Sequence, residues 1–101
     1  MIFITQLIYI REEQEKQFNQ FEDIAIPVIS KYNGKLMLRI RPNQDEVIGN
    51  PADIPYEIHI IRFENEEDYN DFLNDDERKK YLYLKEQSIK SSMIIKGIQI
   101  T

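Results

Sequence analysis

The segment from residue 27 to residue 42, PVISKYNGKLMLRIRP, constrains the fold most, because it joins a helical pattern to a strand pattern across a clear stop. Pro27 lies inside the helical pattern, so we expect a kinked helix, with a helix that ends there as the alternative. Asn33-Gly34 can take the left-handed geometry that ends a helix, and a strand is expected over residues 35–41. The helical stripe recurs at spacings of three and four along about five turns; its members are Phe18, Phe21, Ala25, Val28 and Tyr32.

The rest of the chain completes a β-α-β-β-α-β order. Residues 2–10 are apolar and β-branched and predict a buried strand, and residues 56–63 predict a third strand. Residues 43–55 contain Asn, Gly and Pro without a period, which indicates a loop. Asn65 can cap a second helix with an acidic first turn, and residues 92–100 are expected to form the last strand. This order predicts a ferredoxin-like α+β fold: a four-stranded antiparallel sheet with its helices on one face.

Composition excludes several classes of protein. The 101 residues fit a single domain, residues 1–101, with a thin core. The chain has no cysteine, which excludes a disulfide framework, a thiolate zinc site and a cysteine nucleophile. The net charge is −5 and the basic residues are scattered, so neither a nucleic-acid partner nor a membrane partner is expected. The apolar N-terminus is too short to span a bilayer and has no cleavage site, so we expect a cytoplasmic protein.

Pairing the second and third strands as a hairpin predicts what each face of the sheet carries. In the favoured register Arg39 stands opposite His59, and Arg41 stands opposite Glu57. The apolar face, which we expect under the helices, carries Leu36, Leu38, Ile40, Ile58 and Ile60. The mixed face, which we expect to stay open, carries Met37, Arg39, Arg41, Glu57, His59, Ile61 and Phe63. An open, partly apolar face on so small a domain predicts a homodimer in which a second copy covers it and two sheets close a barrel.

Three stretches carry a resemblance to a known family: FEDIAIPVISKYNGKLMLRI, EIHIIRFENEEDYNDFLND and MIIKG. Together they resemble a bacterial domain-of-unknown-function family of the dimeric α+β barrel superfamily, related to antibiotic-biosynthesis-monooxygenase-like proteins. The sequence departs from the family pattern at Asn33, where a second Gly is common, and after Asp75. The resemblance implies a dimeric ferredoxin-like fold, but the superfamily also includes haem-degrading and dehydratase-like proteins, so no single activity follows. The matching features fall on Pro27, Tyr32-Asn33-Gly34, Arg39 to Arg41, Phe63-Glu64, Phe72 and Gly97.

The candidate site residues lie mostly on the expected mixed face. His59 is the only histidine and is a candidate base, proton shuttle or haem ligand; the alternative is a half-buried residue hydrogen-bonded across the sheet. Arg39 and Arg41 are candidates for binding a carboxylate ligand, or else they pair with acids of the sheet or of the second subunit. Tyr9 and Tyr56 are candidates for positioning a substrate hydroxyl, or else they are packing residues.

Two function hypotheses follow. No metal-ligand cluster, glycine-rich phosphate loop or nucleophile elbow is evident, so no metal and no cofactor are expected. The first hypothesis is a homodimer that binds a small organic molecule in a cleft between sheet and helices or at the dimer seam. The alternative is a cofactor-independent monooxygenase-like enzyme with His59 as base and Arg39 as anion anchor. The sequence favours the first, because it shows no second catalytic partner of fixed geometry.

Overall fold

The structure, a computed structural model, describes residues 1–46, 48–49 and 53–101. Four strands form one antiparallel sheet in the order β2-β3-β1-β4, and the helices lie against one face of it. The expected β-α-β-β-α-β order is confirmed, with the second helical region divided into three short helices. The elements are β1 (Ile2–Ile10), α1 (Glu15–Ile29), β2 (Gly34–Ile40), β3 (Glu57–Phe63), α2 (Glu66–Leu73), α3 (Asp76–Lys80), α4 (Leu82–Ser88) and β4 (Ile89–Gly97), with single 3-10 turns at Ser30–Tyr32 and Gln44–Glu46.

The C-terminal end of α1 and the N-terminal end of α2 lie where the sequence predicts them. Helix α1 continues through Pro27, and Asn33 follows its terminal 3-10 turn in the left-handed conformation, with φ of 57°. Asn65 caps α2: its side-chain oxygen accepts a hydrogen bond from the backbone N–H of Asp68 at 2.9 Å. Local turn and cap chemistry therefore sets both boundaries.

Strand β4 begins three residues earlier than expected, at Ile89 instead of residue 92. The reason is the way α4 ends. Ser88 is fully buried, and its hydroxyl donates back to the carbonyl of Leu84 at 2.6 Å. The backbone N–H of Arg11 donates to the carbonyl of Ser88 at 2.7 Å, so the end of the helix is tied to the end of β1. The chain consequently pairs with β1 at once, starting with Ile89 opposite Ile10.

The expected hairpin register is correct, but the two faces are exchanged. Arg39 lies opposite His59, as predicted. On β3 the alternate residues from Glu57 to Phe63 are buried under the helices, whereas Ile58 and Ile60 point to the open face. A bulge at Met37 also shifts the pairing of β2, so that Leu36 lies under the helices opposite Ile61 and Leu38 lies on the open face opposite Ile60.

The aromatic end of β3 explains this choice of face. Phe63 has no exposed surface, and its ring packs 5.5 Å from the rings of both Tyr69 and Phe72 of α2. Ile61 and Phe63 belong to the main core between sheet and helices. Because side chains alternate along a strand, burying this pair also buries His59 and Glu57. The sheet therefore accepts two polar residues beneath the helices, and they must find partners there.

The open face of the sheet is mostly apolar, with two cationic side chains, Lys35 and Arg62, paired at one end. Its edge strands expose 45% of Leu38 and 52% of Ile95. The outward side chains, grouped by strand pairing, are Phe3, Thr5, Leu7 and Tyr9 of β1, Lys35, Leu38 and Ile40 of β2, Ile58, Ile60 and Arg62 of β3, and Ser91, Met93 and Ile95 of β4.

No helix of the described residues is long and apolar enough to cross a membrane.

Gly34 is required where β2 begins, because the core leaves no room for a side chain. A Cβ atom there would lie 2.6 Å from Ile29 Cγ2 and 2.6 Å from Phe63 Cε1, whereas a Cβ at Gly97 would meet nothing within 4 Å. We expect Gly34→Ala to lower the free energy of unfolding by about 1–3 kcal/mol, as overpacking of a filled core does. Gly97→Ala, the matched control, should change it by less than about 0.5 kcal/mol. Urea unfolding of the two variants measures the difference, and equal stabilities would contradict this account of the core.

Candidate functional site

The buried carboxylate of Glu57 organises a polar network at the start of β3. Its Oε2 accepts a hydrogen bond from Arg39 Nε at 2.9 Å and also contacts His59 Nε2, and its Oε1 accepts one from Arg41 Nε at 2.8 Å. Burial by itself raises the pKa of Glu57, but the hydrogen bonds from His59, Arg39 and Arg41 outweigh it and lower the pKa to about 2. Glu57 is therefore an anion at neutral pH, held by donors from two strands.

Arg41 extends this network from the sheet to α1. Its Nη2 donates to Asn19 Oδ1 at 2.6 Å, and its guanidinium lies 5.0 Å from the centre of the Tyr56 ring. The Tyr56 ring in turn meets Phe18 edge-to-face at 5.7 Å. Arg41 and Tyr56 thus lock the end of the sheet against α1, with the guanidinium held by a carboxylate and an aromatic face.

A small cavity of about 40 Å³ lies between α1, the sheet and the α3–α4 region. This volume holds roughly three water molecules, by the space one water needs. Apolar side chains form most of its wall, and five polar side chains line the rest: Gln6, Glu22, His59, Arg78 and Lys85.

Three ionisable groups of the cavity, the buried Glu22 and Arg78 and the partly buried Lys85, have no ion-pair partner in the described part of the chain. Glu22 is only 6% exposed, and burial raises the pKa of its carboxyl group. Burial and the nearby Arg78 lower the pKa of Lys85. Among the residues that the structure describes, no salt bridge within 4.0 Å joins Glu22, Arg78 or Lys85 to an opposite charge. Titratable groups with perturbed pKa values that converge on a cavity indicate a functional site.

Arg78 is held in place by contacts that leave part of its guanidinium unused. Its Nη1 donates to the carbonyl of Leu73 at 3.2 Å, and its guanidinium lies 5.1 Å from the ring centre of Phe72 and 5.8 Å from that of Phe21. Its Nε is buried and has no hydrogen-bond partner in the described part of the chain. A buried donor without a partner costs free energy, so it calls for an acceptor.

Only some of the site residues predicted from the sequence line this cavity. His59 lines the cavity, but its hydrogen bond runs to Glu57 two residues earlier on its own strand, not across the sheet. Arg39 and Arg41 are both bound to Glu57, in keeping with the alternative that they pair with acids of the sheet, and neither lines the cavity; the role of Arg39 as an anion anchor stays a prediction. A cavity of about 40 Å³ also has no room for a haem beside His59.

The two tyrosines lie away from this cavity. Tyr9 and Tyr56 line a second, wider cleft of about 290 Å³ at the end of the sheet, beside Arg11 and Lys90. Among the described residues, no three His, Asp or Glu side chains converge in a way that would hold a metal ion.

Sequence reasoning missed Glu22, Arg78 and Lys85. Glu22 had a signal: it follows Phe18 by four residues and precedes Ala25 by three, so it stands within the apolar stripe of α1. Arg78 and Lys85 had none, because they belong to a charged run that reads as a solvated helix surface.

The comparisons with known proteins show the fold. No protein-family model and no curated protein matches the chain. A protein of unknown function from Rhodopseudomonas palustris is similar at 12% identity, with a TM-score of 0.85, over 99% of this chain and 82% of that one. An uncharacterised NIPSNAP domain protein from Burkholderia xenovorans is similar at 8% identity, with a TM-score of 0.72, over 98% and 94%. A putative antibiotic biosynthesis monooxygenase from Nitrosomonas europaea is similar at 7% identity, with a TM-score of 0.74, over the full length of both chains.

These similarities confirm the ferredoxin-like fold that the sequence resemblance implies. At identities of 7–12% they reach no further than the fold, which hosts many activities.

The low pKa of Glu57 predicts acid sensitivity. A carboxyl group whose pKa is lower in the folded state stabilises the protein above its unfolded pKa and loses that contribution as the pH falls. For Glu57 this pH window runs from 4.5 down to about 2, and the contribution to the free energy of unfolding is roughly 3 kcal/mol. We expect the unfolding free energy of the wild type to fall across this window more steeply than that of Glu57→Gln. Urea unfolding at several pH values tests this, and the exposed Glu67→Gln should keep the wild-type slope.

Proposed function

We propose that this chain acts as a homodimer that binds a small organic molecule in the cavity between sheet and helices. The observation that carries the proposal is the convergence of Glu22, His59, Arg78 and Lys85 on one small buried space. Glu22 and Arg78 are buried without an ion pair in the described part of the chain, and such groups cost several kcal/mol each. Their presence at one cavity is therefore better explained by a ligand than by stability.

His59 gives the cavity a group suited to moving a proton. Its Nε2 is bonded to the ionised carboxylate of Glu57, and a carboxylate in that position orients an imidazole and selects its tautomer. Arg39 and Arg41 in turn hold Glu57 in place. The ring is thus positioned by a rigid shell built on strands, as acid–base groups in binding sites require.

The apolar open face supports the homodimer. A four-stranded sheet with strands of about seven residues covers roughly 20 by 23 Å. The aliphatic side chains occupy most of that face, and an uncovered apolar patch of several hundred Å² on a single subunit marks an interaction site. A second copy is the simplest partner, because a twofold axis places the same aliphatic surface on both sides of the interface. The cytoplasmic location expected from the sequence stays a prediction.

A cofactor-independent, monooxygenase-like activity is the second candidate. The pairing of His59 with Glu57 favours it, since an oriented imidazole can act as a base. One structural neighbour also carries the description of a putative antibiotic biosynthesis monooxygenase. The cavity volume argues against an aromatic substrate, because about 40 Å³ is well below the roughly 150 Å³ that holds a benzene ring. Small-molecule binding therefore remains the first proposal.

Cavity binding is tested with two small probes of equal size, acetate and acetamide. We expect at least one of them to shift the NMR signals of Ala25, His59 and their neighbours in a saturable way. Ala25→Val places extra volume inside the cavity and should abolish the shifts, whereas Gly97→Ala adds a methyl group in open space and should keep them. If neither probe shifts these signals in the wild type, the proposal of a binding cavity fails.

Adjacent residues of β4 test the dimer. Ile95 lies opposite Thr5 on the open face, and Ile94 lies opposite Gln6 on the helix side, where it is 45% exposed. We expect Ile95→Asp to convert a dimer into a monomer in analytical ultracentrifugation, because a charge would be buried between the sheets. Ile94→Asp, on the other face at similar exposure, should remain dimeric. A wild type that sediments as a folded monomer at high concentration would refute the interface.

A further inference from the structure

The charge around the cavity is opposite in sign to that of the whole chain. The chain has a net charge of −5, yet the cavity wall carries two cations, Arg78 and Lys85, against the single acid Glu22. The network next to the cavity adds to the excess, because the one carboxylate of Glu57 is shared by two guanidinium groups. The local field therefore favours an anion.

The guanidinium of Arg78 is oriented as an anion receptor would need. The carbonyl of Leu73 and the rings of Phe72 and Phe21 fix its plane. The buried Nε has no acceptor among the described residues. Planar guanidinium groups bind carboxylates through two parallel hydrogen bonds, which Lys cannot do. The unused edge of Arg78 thus matches a planar two-oxygen anion.

Lys85 completes the receptor from α4. Lys85 faces the same space, and burial together with the positive charge of Arg78 lowers the pKa of its ammonium group. An anion between these two cations would remove their mutual repulsion. Glu22 of α1 lines the same space as the one acid beside them. A cationic ligand would instead meet two like charges.

We infer that the cavity takes a small organic carboxylate, or the carboxylate end of a larger molecule, bound by Arg78 and Lys85. This inference rests on the proposed function and specifies its ligand class. A space of about 40 Å³, roughly three waters, suits a group of about four non-hydrogen atoms such as acetate. Arg78 and Lys85 are then specificity-determining residues, while His59 stays available for proton transfer.

Three probes of one shape and different charge test the assignment: acetate, acetamide and acetamidinium. They are titrated at pH 7 and constant ionic strength, and the NMR shifts of residues around the cavity give each dissociation constant. We expect acetate to bind at least tenfold more tightly than acetamide, and acetamidinium not to bind at the cavity. Equal affinities of acetate and acetamide would overturn the carboxylate assignment while leaving a binding cavity in place. Absence of binding by all three probes would overturn both.

Charge-removing variants identify the anchors. Lys85→Gln and Arg78→Gln should each weaken acetate binding about tenfold and leave acetamide binding unchanged. Lys79→Gln, next to Arg78 on α3 but exposed, is the matched control and should bind acetate like the wild type. Arg78 also supports the end of α2 through Leu73, so if Arg78→Gln fails to fold, Lys85→Gln decides the question. Wild-type acetate affinity in a folded Lys85→Gln would refute the role of Lys85 and with it the paired-cation receptor.

Discussion

The burial of the Glu57 carboxylate is the constraint on which the arrangement of this protein depends. A carboxylate with no exposed surface is tolerated only if donors replace the water that it loses. Here Arg39 of β2 and Arg41, just after β2, reach it from the neighbouring chain segment and His59 reaches it from its own strand, so both oxygens are occupied. These bonds fix the hairpin register, tie Arg41 to α1 through Asn19, and set the orientation of the His59 ring. The site is therefore built into the packing of the sheet.

The sequence predicted the elements well because their signals are local. The apolar stripe of α1, the left-handed stop at Asn33 and the cap at Asn65 each depend on a few neighbouring residues, and the hairpin register follows from matching two alternating strands. Which face of the sheet packs against the helices does not follow from local signals. It depends on whether burying Phe63 with Ile61 stabilises the fold more than burying the aliphatic row of the opposite face.

The polarity of single residues predicts the wrong face for burial. A row that contains Glu57 and His59 looks unsuited to a core, and a row of Leu38, Ile58 and Ile60 looks suited to one. The structure shows the opposite, since paired polar groups can be buried at little net cost when their hydrogen bonds are complete. The candidate site is not evident from the sequence for the same reason. Arg78 and Lys85 lie in a charged run, and only the packing of α3 and α4 on α1 brings them to the cavity.

Because the faces are exchanged, the candidate site and the aliphatic open face lie on opposite sides of the sheet. All the charged groups of the candidate site lie on the helix side of the sheet, whereas the open side offers aliphatic surface with few charges. In a mixed open face, substitutions of Arg39 or His59 would alter binding and dimerisation together. In the observed arrangement the candidate site and the aliphatic surface lie on opposite sides of the same strands, one residue out of phase. The proposed dimer interface and the proposed binding cavity can therefore change independently, which is consistent with the variety of proteins that share the fold.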